Sequence, residues 1–505
     1  MPNMSVHEGG GSFPGGPGGM VSPGLFGSTS VFGDGAYSGN VIQGGSVLQP
    51  QASYSALIPW NGSYGINTYS ASFAGYIIID RAAAVLAPGV RVSGFRLYSL
   101  QAGNQVAFGV ARRDSAGNWT PVARTADITT TAAGYQFATL AADYVVPNDG
   151  KEYRVFQYTL PGFGSYHSAA STYARAAVLA NPVVGTQIAG VTEGTGIVTG
   201  VDYTTVFKDA VVITGAATVT PDATTGASSV MCNTVVADGA SASLTSSTNS
   251  KGLFIIAKTG IHEVNGGKIH MDGKGKAGNF GDLTVYSLLS AAIQKKLKRS
   301  MWEGFVLKGE GAAGAPATVG NNVSGLTGAA GTTMQTGGGG SGASVATTHP
   351  GGKGGPTCGG AGSAGAYTNA GTAPGPYGGP GGNAFADGGA SGGGAGDPVG
   401  TGDPSGLPGN GPGGGVLGLA APVVSLTSGC VASADGSRGG AGYRPGGGAG
   451  GGNVFTVTYQ DGLINSGTIR AAGGLGGAAQ YGPIGGSGGA GSVTNIKVNM
   501  SGGIL

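Results

Sequence analysis

Between about Tyr64 and Arg175, apolar and polar positions alternate in short runs. These runs are GYIIID (Gly75 to Asp80), VSGFRLYSL (Val92 to Leu100), NQVAFGVARR (Asn104 to Arg113), WTPVART (Trp119 to Thr125) and YRVFQYTL (Tyr153 to Leu160). Val106, Phe108 and Val110 fall at every second position, which puts them on one face of a strand. The junctions DSAGN and PNDG supply the Asp, Asn and Gly that tight turns need. Short strands at this spacing predict an antiparallel β-sandwich of jelly-roll character over 49–185.

From about Val211 to Lys308 the rhythm changes to VVITGAATVTP, SSVMCNTVVADGASASL, GLFIIAKTG and GGKIHMDGKG. Apolar runs that return every ten to twenty residues or so predict a strand-turn-strand stack of β-helix or β-solenoid type over 186–310. One helix is expected within it, at about 284–302. Val285, Leu288, Leu289, Ala292, Ile293, Leu297 and Met301 share one face there, and Lys295, Lys296, Lys298 and Arg299 the other. The basic run reads as the solvated side of a capping helix in preference to a membrane or nucleic-acid patch. Two segments match across about 200 residues: VNGGKIHMDGKG (Val264 to Gly275) and INSGTIRAAGGLG (Ile464 to Gly476). Each follows an apolar run, so both are expected to be rungs of one β stack that hand the chain to a Gly-rich excursion.

Composition changes the picture most in the remainder. Of 505 residues 109 are Gly, roughly three times the usual share of about 7%, and the excess is concentrated between Gly331 and Gly452. GGxGG recurs at Gly351 to Gly355, Gly378 to Gly382, Gly447 to Gly451, Gly473 to Gly477 and Gly485 to Gly489, with a copy at Gly15 to Gly19. An extended helix with three residues per turn would set x on one edge and bare glycine on the other two, so such helices can approach at backbone distance and bond laterally. The region 311–505 is therefore expected to form a polyglycine-II bundle that closes with β-strands. The opposing expectation is a disordered linker. Its length and the bulky residues at its interruptions argue for order: Tyr367, Tyr377, Phe385, Leu407, Leu417, Leu419, Tyr443 and Tyr481. Residues 1–48 read as an anchoring arm whose isolated apolar residues, Phe13, Leu25, Phe26 and Phe32 among them, would dock in a partner's groove. A tail without a role is the alternative.

Charge and candidate chemistry narrow the function further. Only 10% of residues are charged and the net charge is +2, which leaves no footprint for nucleic acid. No apolar run reaches the roughly 18 residues of a membrane span, and no secretory signal is visible at the N-terminus. Cys232, Cys358 and Cys430 form neither a disulfide framework nor a zinc pattern; a Cys358–Cys430 bridge stays as a minor alternative. The GxSxG strings around Ser391 and Ser487 lack a strand-turn-helix setting. His262 and His270 share a candidate rung, but the sequence supplies no partner that would make a metal or triad site, and no metal or cofactor is expected. Glu263, Asp272, Asp282 and Glu303 lie in or near the stack with nothing in the sequence to pair them. The expectation is a non-enzymatic structural protein.

The alternation of GGxGG runs with short loops over about 310–495 resembles the distal adhesins at the tips of long tail fibres of some tailed phages. That resemblance implies a layered polyglycine-II bundle presenting hypervariable loops to outer-membrane proteins or surface glycans. It places the chain on a virion, with host attachment as its work, a host surface protein or glycan as its target and no membrane insertion. The loops would be Ser344 to Pro350, Ala366 to Tyr377, Asn383 to Asp387, Asp397 to Asn410, Val416 to Arg438 and Tyr443 to Pro445. Receptor contact would then fall on Tyr367, Tyr377, Phe385, Leu407, Leu417, Arg438, Tyr443 and Arg444. The sandwich and the arm in front depart from the compact adhesins and suggest direct attachment to a tail or capsid, with homo-oligomerisation open. A capsid head-fibre or decoration protein and a tailspike polysaccharide depolymerase are the alternatives.

Overall fold

The computed structural model describes residues 20–21, 41–42, 50–58, 68–70, 75–80, 85–86, 90–99, 102–131, 134–147, 149–160, 165–167, 172–177, 182–195, 201–276, 281–297, 299–308, 311–316, 323–341, 358–360, 413–440, 446–459, 462–478 and 484–498. The chain is all-β, with helix confined to single turns among the described residues. Its N-terminal part is two facing layers. One is an antiparallel sheet in the order 192–195, 172–177, 76–80, 152–159, 105–113, 119–124. The other carries 50–58, 91–99, 134–145 and 201–213. Val106, Phe108 and Val110 do share a face, and they meet Ala56, Ile58, Phe95 and Leu97 from the opposing layer. The strand's alternate residues Ala107 and Ala111 turn to a second core with Ile77, Trp119, Phe156 and Tyr158. Trp119 and Tyr153 are buried at 0% and 1% exposure, so both pack the interior.

The strand Val201–Ile213 joins this part to the next. It runs antiparallel to 50–58 and 91–99, and the Arg96 guanidinium clamps Asp202 across the pair. Its last four residues, Ala210 to Ile213, lie parallel to Thr234 to Ala237. The boundary expected at 185/186 is therefore crossed by a single sheet. Parallel pairing then continues through Ser228–Asp238, Leu253–Val264, Val416–Ala421, Asn453–Tyr459 and Ser492–Val498. A second parallel sheet stacks Ala216–Val219, Ser243–Ser246, Lys268–His270, Val431–Ser433 and Thr468–Arg470. Gly266 (φ 87°) and Gly239 (φ 100°) hold left-handed corners of the kind glycine takes without strain. Val230, Leu244, Leu253, Ile255, Ile269, Leu417, Leu419, Ala432 and Val454 fill the space between the two sheets.

The two matching segments are rungs of this stack: 268–270 and 468–470 both pair with 431–433, one from each side. The rung between them corrects an expectation. Val416 to Arg438 is not a loop but three strands, 416–421, 424–426 and 431–433. Leu417, expected to touch a receptor, is 0% exposed between Leu253 and Val454. Gly418 sits where a Cβ would strike the rings of Phe254 and Phe455, so the short side chain admits the aromatic pair on neighbouring rungs.

The single helix expected at 284–302 is also corrected. Three separate turns stand in its place, Val285–Leu288, Ala291–Gln294 and Arg299–Trp302. Thr284 and Ser290 each cap a new start, and Leu289 between them is extended (φ −79°, ψ 149°). The Gln294 side chain fills the break by donating to the carbonyls of Tyr286 and Leu289. Most of the apolar face is buried as expected: Val285, Leu288, Leu289, Ile293 and Leu297, with Trp302, cover Met231, Phe254, Ile256 and Phe455. Ala292, expected on that face, is exposed because the break at Leu289 starts a new turn, and the Met301 side chain lies outside the described residues. Residues 20–21 pair with 497–498, and 41–42 with 230–231. These pieces of the expected arm thus add to the chain's own sheet. Phe13, Leu25, Phe26 and Phe32 lie outside the described residues.

Candidate functional site

The later rungs run into and out of glycine. The runs 434–440 and 471–477 leave the strands 431–433 and 468–470, while 413–415, 446–452 and 484–491 lead into 416–421, 453–459 and 492–498. Side by side, these runs are bonded through the backbone at intervals of three residues. Gly325, Gly328 and Gly331 donate to Ile484, Ser487 and Ala490. Gly448 and Gly451 donate to Gly486 and Gly489, and Gly436 and Gly439 to Ala472 and Leu475. A three-residue repeat of lateral bonds is what an extended threefold helix must make, since it has no internal ones. The run 446–452 is surrounded: it bonds to Gly337 and Gly340, Gly360, Gly414, Ser437, Gly474 and Gly486. Close approach is the physical reason for glycine here. A Cβ on Gly338 would collide with the Ala313 carbonyl, and one on Gly450 with that of Gly337.

This bundle has a strand side and a far side. On the strand side Gly452 donates to Ala434 (2.7 Å) and Gly491 to Ala471 (2.7 Å). On the far side Gly446 donates to Gly440 (3.0 Å), Gly477 to Gly446 (2.8 Å), Gly486 to Ser341 (2.8 Å) and Gly325 to Ile484 (2.9 Å). The segments 441–445 and 479–483 are therefore flanked by residues of one end, while 342–357 leaves from Ser341 at that end and returns at Cys358, beside Thr336 and Gly414 toward the strand side. The longest insert, 361–412, starts at Gly360 beside Gly450 and returns at Gly413. Of the expected contact residues, Arg438 is described and exposed, two residues before the far end. Tyr367, Tyr377, Phe385, Leu407, Tyr443 and Arg444 lie outside the described residues. Three apolar side chains near this end escaped the sequence pattern. Leu326, Leu475 and Ile484 are 46%, 65% and 60% exposed. The described glycine-rich runs carry two charged residues, Arg438 and Asp435, and Asp435 is paired with Arg470.

The four candidate carboxylates fall into different settings. Glu263 lies inside the stack, fully buried, and neither oxygen makes a well-formed hydrogen bond. Burial pushes its carboxyl well above the usual range, only partly offset by the N–H groups of Ile269 and Val431 and by Lys268. Asp282 is exposed, and Glu303 pairs with Arg299 at the surface. Asp272 stands on the outer face of the five-stranded parallel sheet. It accepts from Lys268 (2.5 Å), the Ser433 hydroxyl (3.0 Å) and the Asp435 N–H (2.7 Å). Asp435 repeats the pattern one rung on, accepting the Ala472 N–H (2.8 Å) and Arg470 (2.7 Å). Burial works against ionised Asp272, but these donors outweigh it and hold its pKa down. Asp435 is raised by burial and by the Asp272 charge.

The histidines share a rung but not a site. His262 turns toward the N-terminal layers, bonded to Ser425 (2.8 Å) and 4.7 Å from the Phe207 ring. His270 turns outward, with Nε2 3.0 Å from the Ser243 hydroxyl and Nδ1 3.4 Å from Asp272 Oδ2. Burial pushes both down to about 4. Ser243 was invisible to sequence reading because it lies 27 residues away on an adjacent rung. The cysteines are all unbridged and buried, and burial pushes Cys232 and Cys358 up to about 12. Among the described residues no group of His, Cys, Asp and Glu is placed to hold a metal ion, and no helix is long and apolar enough to cross a membrane. No protein-family model and no curated protein matches the chain.

Proposed function

We propose that the chain is a virion structural protein, a tail-fibre or receptor-binding protein that attaches the particle to a host cell surface. In this proposal the facing N-terminal layers are a jelly-roll-like sandwich, the parallel stack is a β-solenoid, and the glycine runs are polyglycine-II helices. The carrying observation is the far end of the glycine bundle, where chain insertions are flanked by laterally bonded runs that need no side-chain core. Such a platform holds loops at fixed separations, which lowers the ordering cost of a contact surface. The target class is a host surface protein or glycan. Attachment of this kind works by surface complementarity and requires no cofactor.

The N-terminal region is proposed to face the tail or capsid. A capsid decoration role is the second reading, favoured by the arm pieces that complete the chain's own sheets and so bind the molecule together. The test is binding of the full-length chain to intact host cells, beside variants whose far-end inserts 441–445 and 479–483 are replaced by glycine links and one whose 361–412 insert is shortened to a GGxGG link. Loss of binding with an unchanged melting profile supports attachment through the inserts. Equal binding by all of these proteins, or binding by none, overturns it in favour of decoration. The shortening spares 416–438, which is a rung of the stack.

A further inference from the structure

We propose that Ser243, His270 and Asp272 form a hydrolytic site for carboxylic esters on the outer face of the parallel five-stranded sheet. The site adjoins the strand side of the glycine bundle, where the Asp435 N–H holds Asp272, and is independent of the attachment reading.

Leu244 and Ile269 are paired across neighbouring strands and point into the stack, so Ser243 and His270 on either side of them point out. Ser243 Oγ is 3.0 Å from His270 Nε2, within reach of direct proton transfer. On the other side of the ring Nδ1 is 3.4 Å from Asp272 Oδ2, an electrostatic contact outside hydrogen-bond geometry. Asp272 is held by Lys268, Ser433 and the Asp435 N–H, which keep it ionised and fixed. A carboxylate there favours the tautomer with its proton on Nδ1, and the Nε2 lone pair then faces the hydroxyl. Burial leaves the ring neutral near pH 7, though a weaker base than a free imidazole.

A purely structural ladder explains part of this cluster but not all. Asp435 caps the next rung in the same way as Asp272, and Ser433 and Arg470 occupy the places that correspond to His270. Capping therefore proceeds without an imidazole. His270 is surplus to it, with Nε2 bonded to Ser243 and Nδ1 on the side of Asp272.

The chemistry balances with water as the only co-reactant. Ser243 Oγ attacks the acyl carbon while its proton passes to His270 Nε2. The ester C–O bond breaks, and the alcohol departs with that proton. Water, deprotonated by the same nitrogen, then releases the carboxylic acid and restores the serine. Lys268 is the cross-strand partner of Ser243, and its ammonium is the cation at hand for the developing oxyanion. Ser243, Lys268, His270 and Asp272 are each half-buried on this face, which suits an acyl substituent projecting from a larger molecule laid across the rungs.

The test treats the full-length chain with a fluorophosphonate probe and follows p-nitrophenyl acetate hydrolysis. The expected result is a probe adduct on the Ser243 peptide, absent in Ser243→Ala, and labelling and hydrolysis slower by roughly a hundredfold or more in His270→Ala with an unchanged melt. His270→Gln, which keeps a polar side chain, replaces the alanine variant if that one melts early. No adduct on Ser243, or equal labelling without the imidazole, overturns the proposal.

Discussion

Replacing Glu263 by Gln removes one titration from the interior of the stack and leaves its shape nearly unchanged. The wild-type carboxyl is fully buried and its pKa is raised by desolvation, so the folded chain holds a proton that the unfolded chain, titrating near 4.5, has released. The sign follows. This group's contribution to stability is complete below the unfolded value and is lost as pH rises toward the folded one, at about 1.4 kcal/mol per pH unit. Gln has no such slope. A buried amide brings its own cost of about 1–3 kcal/mol if its N–H groups stay unpaired, but that cost does not vary with pH. The readout is therefore the slope of the difference. Hydrogen exchange of the 253–264 amides in wild type and Glu263→Gln, compared at each of pH 5, 6 and 7, should show the variant gaining on wild type as pH rises, by up to about 1.4 kcal/mol per unit while the folded carboxyl stays protonated. Comparison at matched pH cancels His262 and His270, which titrate alike in both proteins. A difference that stays flat across this window would refute the assignment of Glu263 as a protonated interior acid.

Other outcomes follow from the same packing. Gly338→Ala should cost several kcal/mol or melt the bundle locally, since its Cβ meets the Ala313 carbonyl; Gly215→Ala, whose Cβ meets nothing, should leave thermal unfolding within about 0.5 kcal/mol of wild type. Leu417→Ala should destabilise by about 2–5 kcal/mol in denaturant titration, and Arg438→Ala by about 0.5 kcal/mol or less while weakening cell binding. His262 is held at about 4 by burial, so its contribution is lost as pH falls from the unfolded value of 6.5 toward 4. His262→Gln should flatten that acid-side slope by about 1.4 kcal/mol per unit.

Periodicity made the strands legible wherever one face is buried. The alternation in 105–113 assigned Val106, Phe108 and Val110 to one core, and the twin segments around 268–270 and 468–470 announced a stack. The rung at 416–433 was missed because Pro422 and the surrounding glycine gave it the look of an interruption, although VLGLAA already alternates. The helix at 284–302 was right in most of its face and wrong in its continuity. Amphipathic spacing cannot register Ser290 drawing the Ile293 N–H onto its own hydroxyl. The array of Ser243, His270 and Asp272 was hidden for another reason. It is assembled by parallel register between rungs, and register is set by the whole stack and not by any local run.

The glycine bundle has an uneven tolerance for change. Any replacement of glycine at a crossing such as Gly338 or Gly450 adds an atom where another backbone already stands, so the scaffold is brittle to substitution. Insertion between runs disturbs no lateral bond, and doubling an insert's length adds only about 0.6 kcal/mol of closure entropy. Variation in such a molecule is channelled into length and content of the inserts, at positions where the fold carries no record of it.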